Sequence, residues 1–231
     1  MNKLSYYLKR IPNIPKTLLL NFYYLPLKQA IHFPIFVASN VRIESLGDRN
    51  AVKIDSYRRG SVNLGTSRGP YNMNKGVKGN WNISKGGQIY FEGTCSLAAG
   101  IRIDVGSKAT VFIGDKVSMN TACLVVAKKK IHFGKDMMAG WNCSFMDTDH
   151  HVIFNEERIA CNQPREVVIG NHVWIGANST ILKGSKIGDN SIVALGAIVS
   201  SNYGENKNVI IAGNPGRIVK ERRNWSREGY L

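Results

Sequence analysis

The sequence predicts an all-β solenoid of short strands, and three observations carry that prediction. From Ile169 the chain reads IGNHVW, IGANST, ILKGSK, IGDNSI and VALGAI, so an aliphatic residue recurs every six positions: Ile169, Ile175, Ile181, Ile187 and Val193. The fifth position of each unit is small or β-branched: Val173, Ser179, Ser185, Ser191 and Ala197. Glycine follows the opening aliphatic residue in three of the five units. A helical period does not give a strict six, and simple strand alternation does not keep one aliphatic row in register this long. The arrangement that satisfies all three is a triangular coil. Each unit forms one flat side, and the opening residues point inward and stack on those of the next coil. The fifth position sits near a tight corner, and Gly and Asn relieve the backbone at the turns. Each coil buries its apolar row only against its neighbours.

The rest of the chain divides around this core. Residues 1–55 are apolar and aromatic without a six-residue period, and the stretch from Pro15 to Leu27 reads as one or two short helices. Residues 56–100 read as an irregular, Gly-rich, basic loop followed by the first strands. Residues 101–213 form the repeat domain. In it Ile113, Met119 and Val125 open earlier units and, after a two-residue slip, Phe133, Ala139 and Phe145 open three more. Cys123 and Cys143 then fall on the small fifth position, which suits corner packing better than chemistry. Residues 151–168 break the rhythm, as a loop ejected from a coil would, and loops on rigid scaffolds tend to carry function. Residues 214–231 follow a Pro-Gly turn and read as a short basic helix capping the last coil.

Composition bounds the partners. The 231 residues include 31 basic and 16 acidic side chains, a net charge of +15. Such a balance favours nucleic acid, a membrane surface or a phosphorylated ligand. No stacking-aromatic motif interleaved with basic residues stands out, so nucleic acid is not the expected partner. The four cysteines form no C-x-x-C pair and read as free thiols of a reducing cytosol. The apolar run TLLLNFYYLPL at 17–27 is too short to span a bilayer. It lacks a nearby cleavage site, so removal as a signal peptide is not expected. Lys3, Lys9, Arg10 and Lys16 flank its amphipathic aromatic residues, which also suits a peripheral membrane contact. Packing on the main domain is the simpler expectation.

The sequence FMDTDHHVIF places Asp147, Asp149, His150 and His151 where the ejected loop leaves the coil. A histidine in a polar turn is by default merely solvated. Two imidazoles beside two carboxylates at this place suit a general base and an orienting acid. A purely structural solenoid does not predict such a cluster.

The stretch VVIGNHVWIGANSTILKGSKIGDNSIVALGAIVS, the ending AGNPGRIVK and the MDTDHH segment together resemble the hexapeptide-repeat acyltransferases. Within them the polysaccharide and lipopolysaccharide O-acetyltransferases look most similar. The resemblance is specific from about Val105 to Lys220. It implies a left-handed parallel β-helix, a homotrimer, and acetyl-coenzyme A in the cleft between two prisms, with no metal. It places the working imidazole at His151, with His150 at a variable position and Asp149 or Asp147 orienting the ring. It puts Asn142, Trp141 and Asn120 at the acceptor, although Asn also serves tight corners. It puts Trp174, Ala177, Leu195, Ser200, Ser201, Arg217 and Lys220 at the coenzyme. Ser201 departs from the lysine of several relatives, and Lys220, Arg222 and Arg223 are expected to compensate. The function implied is O-acetylation of a sugar hydroxyl on a cell-surface glycan or its lipid-linked precursor, in the cytoplasm or at the inner membrane face. The alternatives are a small sugar, sugar-nucleotide or amino-acid acceptor, and a hydratase on the same fold with a metal at the interface between chains, using His132, His151 and His172. Arg58, Arg59, Arg68, Lys75 and Lys78 are expected to meet an anionic or membrane-linked acceptor.

Overall fold

The computed structural model describes residues 12–67 and 76–228. It is a left-handed parallel β-helix with three flat sides. Sheet A starts at Ile35–Val37 and has nine strands, ending at Ile210–Ala212 and Arg217–Lys220. Sheet B has seven strands, from Val41–Ser45 to Ile198–Val199. Sheet C also has seven, from Val52–Ile54 to Asn202–Tyr203. The chain visits A, B and C in turn, so every strand pairs in parallel with the one a coil later. The exception is the last pair, where Arg217–Lys220 folds back antiparallel on Ile210–Ala212.

The six-residue pattern becomes three stacked inward rows. On sheet B, Phe145 pairs with Ile181 and Ile181 with Val199. On sheet C, Phe133 pairs with Ile169 and Ile169 with Ile187. Phe133 and Phe145 meet edge to face, with ring centroids 5.0 Å apart, and together fill one coil. The fifth-position residues Val173, Ser179, Ser185, Ser191 and Ala197 are all buried. Their small size is required because corners of successive coils nearly touch. A Cβ on Gly140, for example, would lie 2.6 Å from the Ala177 nitrogen. Cys123 and Cys143 are buried free thiols at corners, and each Sγ–H points at a backbone carbonyl, of Gly140 and Gly176 respectively.

Two boundaries differ from the sequence reading. The coils begin at Ile35, not at residue 101: the first strands expected before residue 101 are Gln88–Phe91 and Cys95–Ala98, and the part read as an irregular loop also holds the strands Val62–Ser67 and Gly79–Ile83. Arg68 and Lys75 lie outside the described residues. At the other end the expected basic helix is absent among the described residues. Instead Arg217–Lys220 is a strand, and the chain beyond it runs as an extended strap.

The N-terminal segment forms α1 (Ile14–Tyr24) and α2 (Leu27–Ala30). Asn13 caps α1 by accepting the Lys16 N–H at 3.0 Å, and Pro15 fits its first turn. Leu25 is extended because it precedes Pro26, and this ends the helix. The buried face of α1 is Thr17, Leu20, Asn21 and Tyr24, at helical spacing. This face closes the prism through polar contacts. Asn21 is fully buried, accepts the Ile35 N–H at 3.1 Å and donates to the Ile35 carbonyl at 2.7 Å. Thr17 accepts the Val37 N–H at 3.2 Å. The Lys16 ammonium donates to the Val41 carbonyl at 2.6 Å. Tyr24 accepts the Trp81 indole N–H and donates to the Leu46 carbonyl. Helical side chains therefore satisfy strand edges where another coil would otherwise sit.

Candidate active site

Two edges of sheet B carry the residues singled out by the sequence. The corner between sheets B and C holds Asp147, Asp149, His150, His151 and, two coils on, Ser200 and Ser201. The corner between sheets A and B holds Asn120, Trp141, Asn142, Ala177 and Leu195. One protomer thus holds the two groups apart, on opposite edges of one sheet.

At the B–C corner Asp147 is completely buried. One oxygen accepts the Lys128 N–H at 2.7 Å, and the other accepts those of Lys129 and Lys130 at 2.7 and 2.6 Å. Three successive backbone donors thus form a nest for one carboxylate. This corner is also where the two-residue slip of the repeat is absorbed. Asp149 accepts from the Lys183 ammonium and, at 2.8 Å, from the Asn162 amide. These bonds, that from Lys183 foremost, hold its carboxyl below the usual carboxylate range. Neither carboxylate orients the His151 ring, which corrects the sequence expectation. Both aspartates are committed to other partners, and no hydrogen bond to that ring is present among the described residues.

His150 takes the left-handed conformation, with φ at 62°, and donates its N–H to the Thr148 hydroxyl at 3.0 Å. That turn sends His151 outward. Asn162 returns from the loop and donates to the His151 carbonyl at 2.8 Å, so the two ends of the ejected loop are tied together. A cleft of about 240 Å³ opens here, lined by Lys128, Thr148, His150, His151, Asn162 and Gln163 among others. Lys183, Asn162 and Lys128 were not singled out from the sequence. Lys183 sits 34 positions from Asp149 and meets it only through the stacking of coils.

At the A–B corner the coils form a column. The Asn142 N–H bonds the Thr121 carbonyl, the Asn178 N–H that of Trp141, and the Gly196 N–H that of Ala177. Asn142, Asn178 and Gly196 all have positive φ. The column therefore stacks Trp141, Ala177 and Leu195 in successive coils, and the 18-residue spacing of the last two does place them on one edge. Asn142 donates its amide to Asn178 at 3.0 Å, so it braces a corner as well as facing solvent. Asn120 lies in the coil below.

Trp174 stands on the outer face of sheet A beside this column and is 39% exposed. Leu195 is 69% exposed, while Ala177 is buried. Arg217 and Lys220 are exposed on the strand that extends sheet A. Arg222, Arg223 and Lys207 line a cleft of about 520 Å³ at that end. Ser200 and Ser201 lie on the other edge of sheet B, with His151, and do not join this group. Trp225 of the C-terminal strap reaches Trp174, with ring centroids 6.1 Å apart.

The strap itself is anchored at the corner between sheets C and A. Trp225 stacks on His172 with ring planes 8° apart, and its indole N–H donates to the His172 carbonyl. Arg227 donates to Asp136, to the Ser118 hydroxyl and to the carbonyls of Lys116 and Met137. Burial opposes ionisation of Asp136, but hydrogen bonds from His172 and Arg227 outweigh it and hold the carboxyl below its usual range. His172 is thus a structural residue. His132 lies on the outer face of sheet C beside Phe112, its pKa lowered by burial and then by the Lys130 charge. With His151 at a third location, the three histidines of the hydratase alternative do not converge within one chain.

Known proteins resemble this chain. The family "Bacterial transferase hexapeptide (six repeats)" matches residues 166–201. The putative lipopolysaccharide biosynthesis O-acetyl transferase WbbJ of Escherichia coli K12 is 27% identical over 148 residues, covering 60% of this chain and 74% of that protein. A putative acetyltransferase of Dictyostelium discoideum is 31% identical over 138 residues, covering 60% of this chain and 67% of that one. The crystal structure of the polysialic acid O-acetyltransferase OatWY superposes with a TM-score of 0.59 at 28% identity, covering 85% of this chain and 88% of that one. The chain spans only 50–58% of the length of several other acetyltransferase relatives. On fold, repeat and relatives, the chain belongs to the hexapeptide-repeat acyltransferase family of enzymes.

Proposed function

We propose that this protein is an acetyl-coenzyme A-dependent O-acetyltransferase that modifies a sugar hydroxyl of a cell-surface glycan or its lipid-linked precursor, working in the cytoplasm at the inner face of the membrane. The observation that carries the reading is the split arrangement. An exposed imidazole at the mouth of a tied-back loop occupies one edge of sheet B, and an apolar column occupies the other. A second copy that brings its A–B corner to this B–C corner completes a site, and a closed ring of three does so for every copy. The names of the similar proteins, among them lipopolysaccharide and polysialic acid O-acetyltransferases, support a glycan acceptor.

The residues fit the donor. Trp174 and Leu195 offer apolar surface for the pantetheine arm, and Arg217, Lys220, Arg222 and Arg223 offer cations for the phosphates. The coenzyme supplies an acetyl thioester. His151 takes the proton from the acceptor hydroxyl as its oxygen bonds to the acetyl carbon, and returns that proton to the departing thiolate. Lys128 and Thr148, in the same cleft, are placed to hold the acceptor sugar.

Release of free coenzyme thiol, followed with acetyl-coenzyme A and a panel of capsular and lipopolysaccharide glycans, tests the reading. Acetylated glycan by mass spectrometry is the expected product. Transfer only to free small sugars or amino acids would shift the acceptor class. A strict monomer by sedimentation under active conditions would remove the shared site.

A further inference from the structure

The helix α1 closes the prism with one face and presents apolar side chains on the other. Ile14 is 65% exposed, Leu27 69% and Ile31 53%, with Leu18, Leu19 and Phe22 each at 40% or more. Phe22 meets Phe33 edge to face, and Phe33 continues the surface into a cleft of about 560 Å³. That cleft is lined by Ile14, Leu18, Phe33 and Phe36, with Arg59 at its wall. An end cap needs only its inner face to be apolar, so this second surface is not explained by folding.

The N-terminal part of the sequence is basic. The first acidic residue of the chain is Glu44, and six basic residues precede it: Lys3, Lys9, Arg10, Lys16, Lys28 and Arg42. Lys28, Arg58 and Arg59 are exposed near the apolar surface. A second copy docking here would bring two basic rims together, which opposes self-association. Among the described residues no helix is long and apolar enough to cross a membrane. The combination suits a helix lying in the plane of a negatively charged interface, with its apolar side chains among acyl chains and its cations among headgroups.

We propose that the α1–α2 cap is an interfacial docking surface for an anionic lipid bilayer, through Leu18, Phe22, Leu27 and Ile31 and with Lys28, Arg58 and Arg59 on the headgroups. Arg58 and Arg59 then meet lipid phosphate, where the sequence suggested an anionic or membrane-linked acceptor for them. Docking would also bring the enzyme to a lipid-linked acceptor. That use rests on the function proposed above, but the binding does not.

Co-flotation of the full chain with phosphatidylglycerol–phosphatidylethanolamine vesicles, compared with phosphatidylcholine vesicles, tests the proposal. Binding to the anionic vesicles is expected, about tenfold or more above the neutral ones, and weakened by about 0.5 M salt. Leu18→Glu with Phe22→Glu should reduce the bound fraction at least about tenfold, with melting temperature and oligomeric state unchanged. Arg58→Glu with Arg59→Glu should remove most of the preference for anionic lipid. Failure of the intact chain to bind either vesicle overturns the proposal, as does equal binding to both or undiminished binding by the Leu18/Phe22 variant. A changed oligomeric state in that variant assigns the surface to contact between chains and also overturns it. Vesicle binding without any transferase activity would count against the enzymatic reading and leave this one standing.

Discussion

The Asp149 carboxylate holds the Lys183 ammonium, one coil away, and not the neighbouring His151 imidazole. The same carboxylate accepts from Asn162, whose amide also donates to the His151 carbonyl. Asp149 therefore joins the place where the loop leaves to the place where it returns.

Asp149→Asn should loosen this tie. The pair is partly exposed, so its loss should cost no more than about 1 kcal/mol of stability. Because the folded pKa of Asp149 is depressed, its contribution is complete above the ordinary carboxylate value and disappears as pH falls through the lower folded value. Faster proteolysis within residues 151–168 is expected, together with a roughly tenfold fall in kcat/KM, equivalent to about 1.4 kcal/mol. Lys183→Met should behave in the same way. An unaltered cleavage rate in both variants would show that the tie does not hold the loop.

His151→Asn should lower kcat by about 10²–10⁴-fold, the usual share of a positioned base. In the proposed site coenzyme affinity, read by isothermal titration calorimetry, should change little, because the ring handles the acceptor proton while apolar side chains and cations hold the donor. His150→Asn should be tolerated, since Asn also accepts the positive φ of that position. If His150→Asn proves the damaging change, the base is assigned to the wrong ring.

Asp147→Asn tests a different role. Its three backbone donors are all within 2.7 Å, and an amide nitrogen would face at least one of them. The expected loss is about 2–4 kcal/mol, read by urea denaturation, because charge-assisted bonds are lost and a buried donor is left unpaired. Activity should survive at low temperature and collapse on warming well before the wild type. Wild-type stability combined with lost turnover would instead place Asp147 in the chemistry.

The C-terminal strap should release in acid. Both nitrogens of His172 face acceptors, the Asp136 carboxylate at 2.6 Å and the Trp225 carbonyl at 2.9 Å. Asp136 has a depressed folded pKa, so the stabilisation it gives is present above the ordinary carboxylate range and is lost as pH falls below it. Trp225 fluorescence should become solvent-like in that window, earlier in Arg227→Ala than in the wild type. A signal flat down to global unfolding would show that the strap does not move separately.

The repeat was legible only where the corners are short. On sheet B, Ile43, Trp81, Ile103, Val125, Phe145, Ile181 and Val199 stack in one row. Only the final step, Ile181 to Val199, has the 18 residues of three bare units. Earlier corners hold extra residues, which leave the pairing intact but erase the period. His151 was legible because the loop breaks the rhythm beside it. Its surroundings were not, because Lys183 and the Lys128 nest reach the aspartates through stacking. The strap was missed because basic composition suggests a helix face, whereas its fixed points are Asp136 and His172, tens of residues away.

The contacts of Asn21, Thr17 and Lys16 with the first strands bear on assembly. Stacked parallel coils have no inherent length, and an open end is a template on which another chain can grow. Here the side chains of α1 occupy the hydrogen-bonding groups of Ile35, Val37 and Val41, while Arg217–Lys220, folded back antiparallel, occupies those at the far end of sheet A. Both ends of that sheet refuse a parallel strand from a second molecule. End-to-end growth of sheet A from one molecule into the next is thereby opposed.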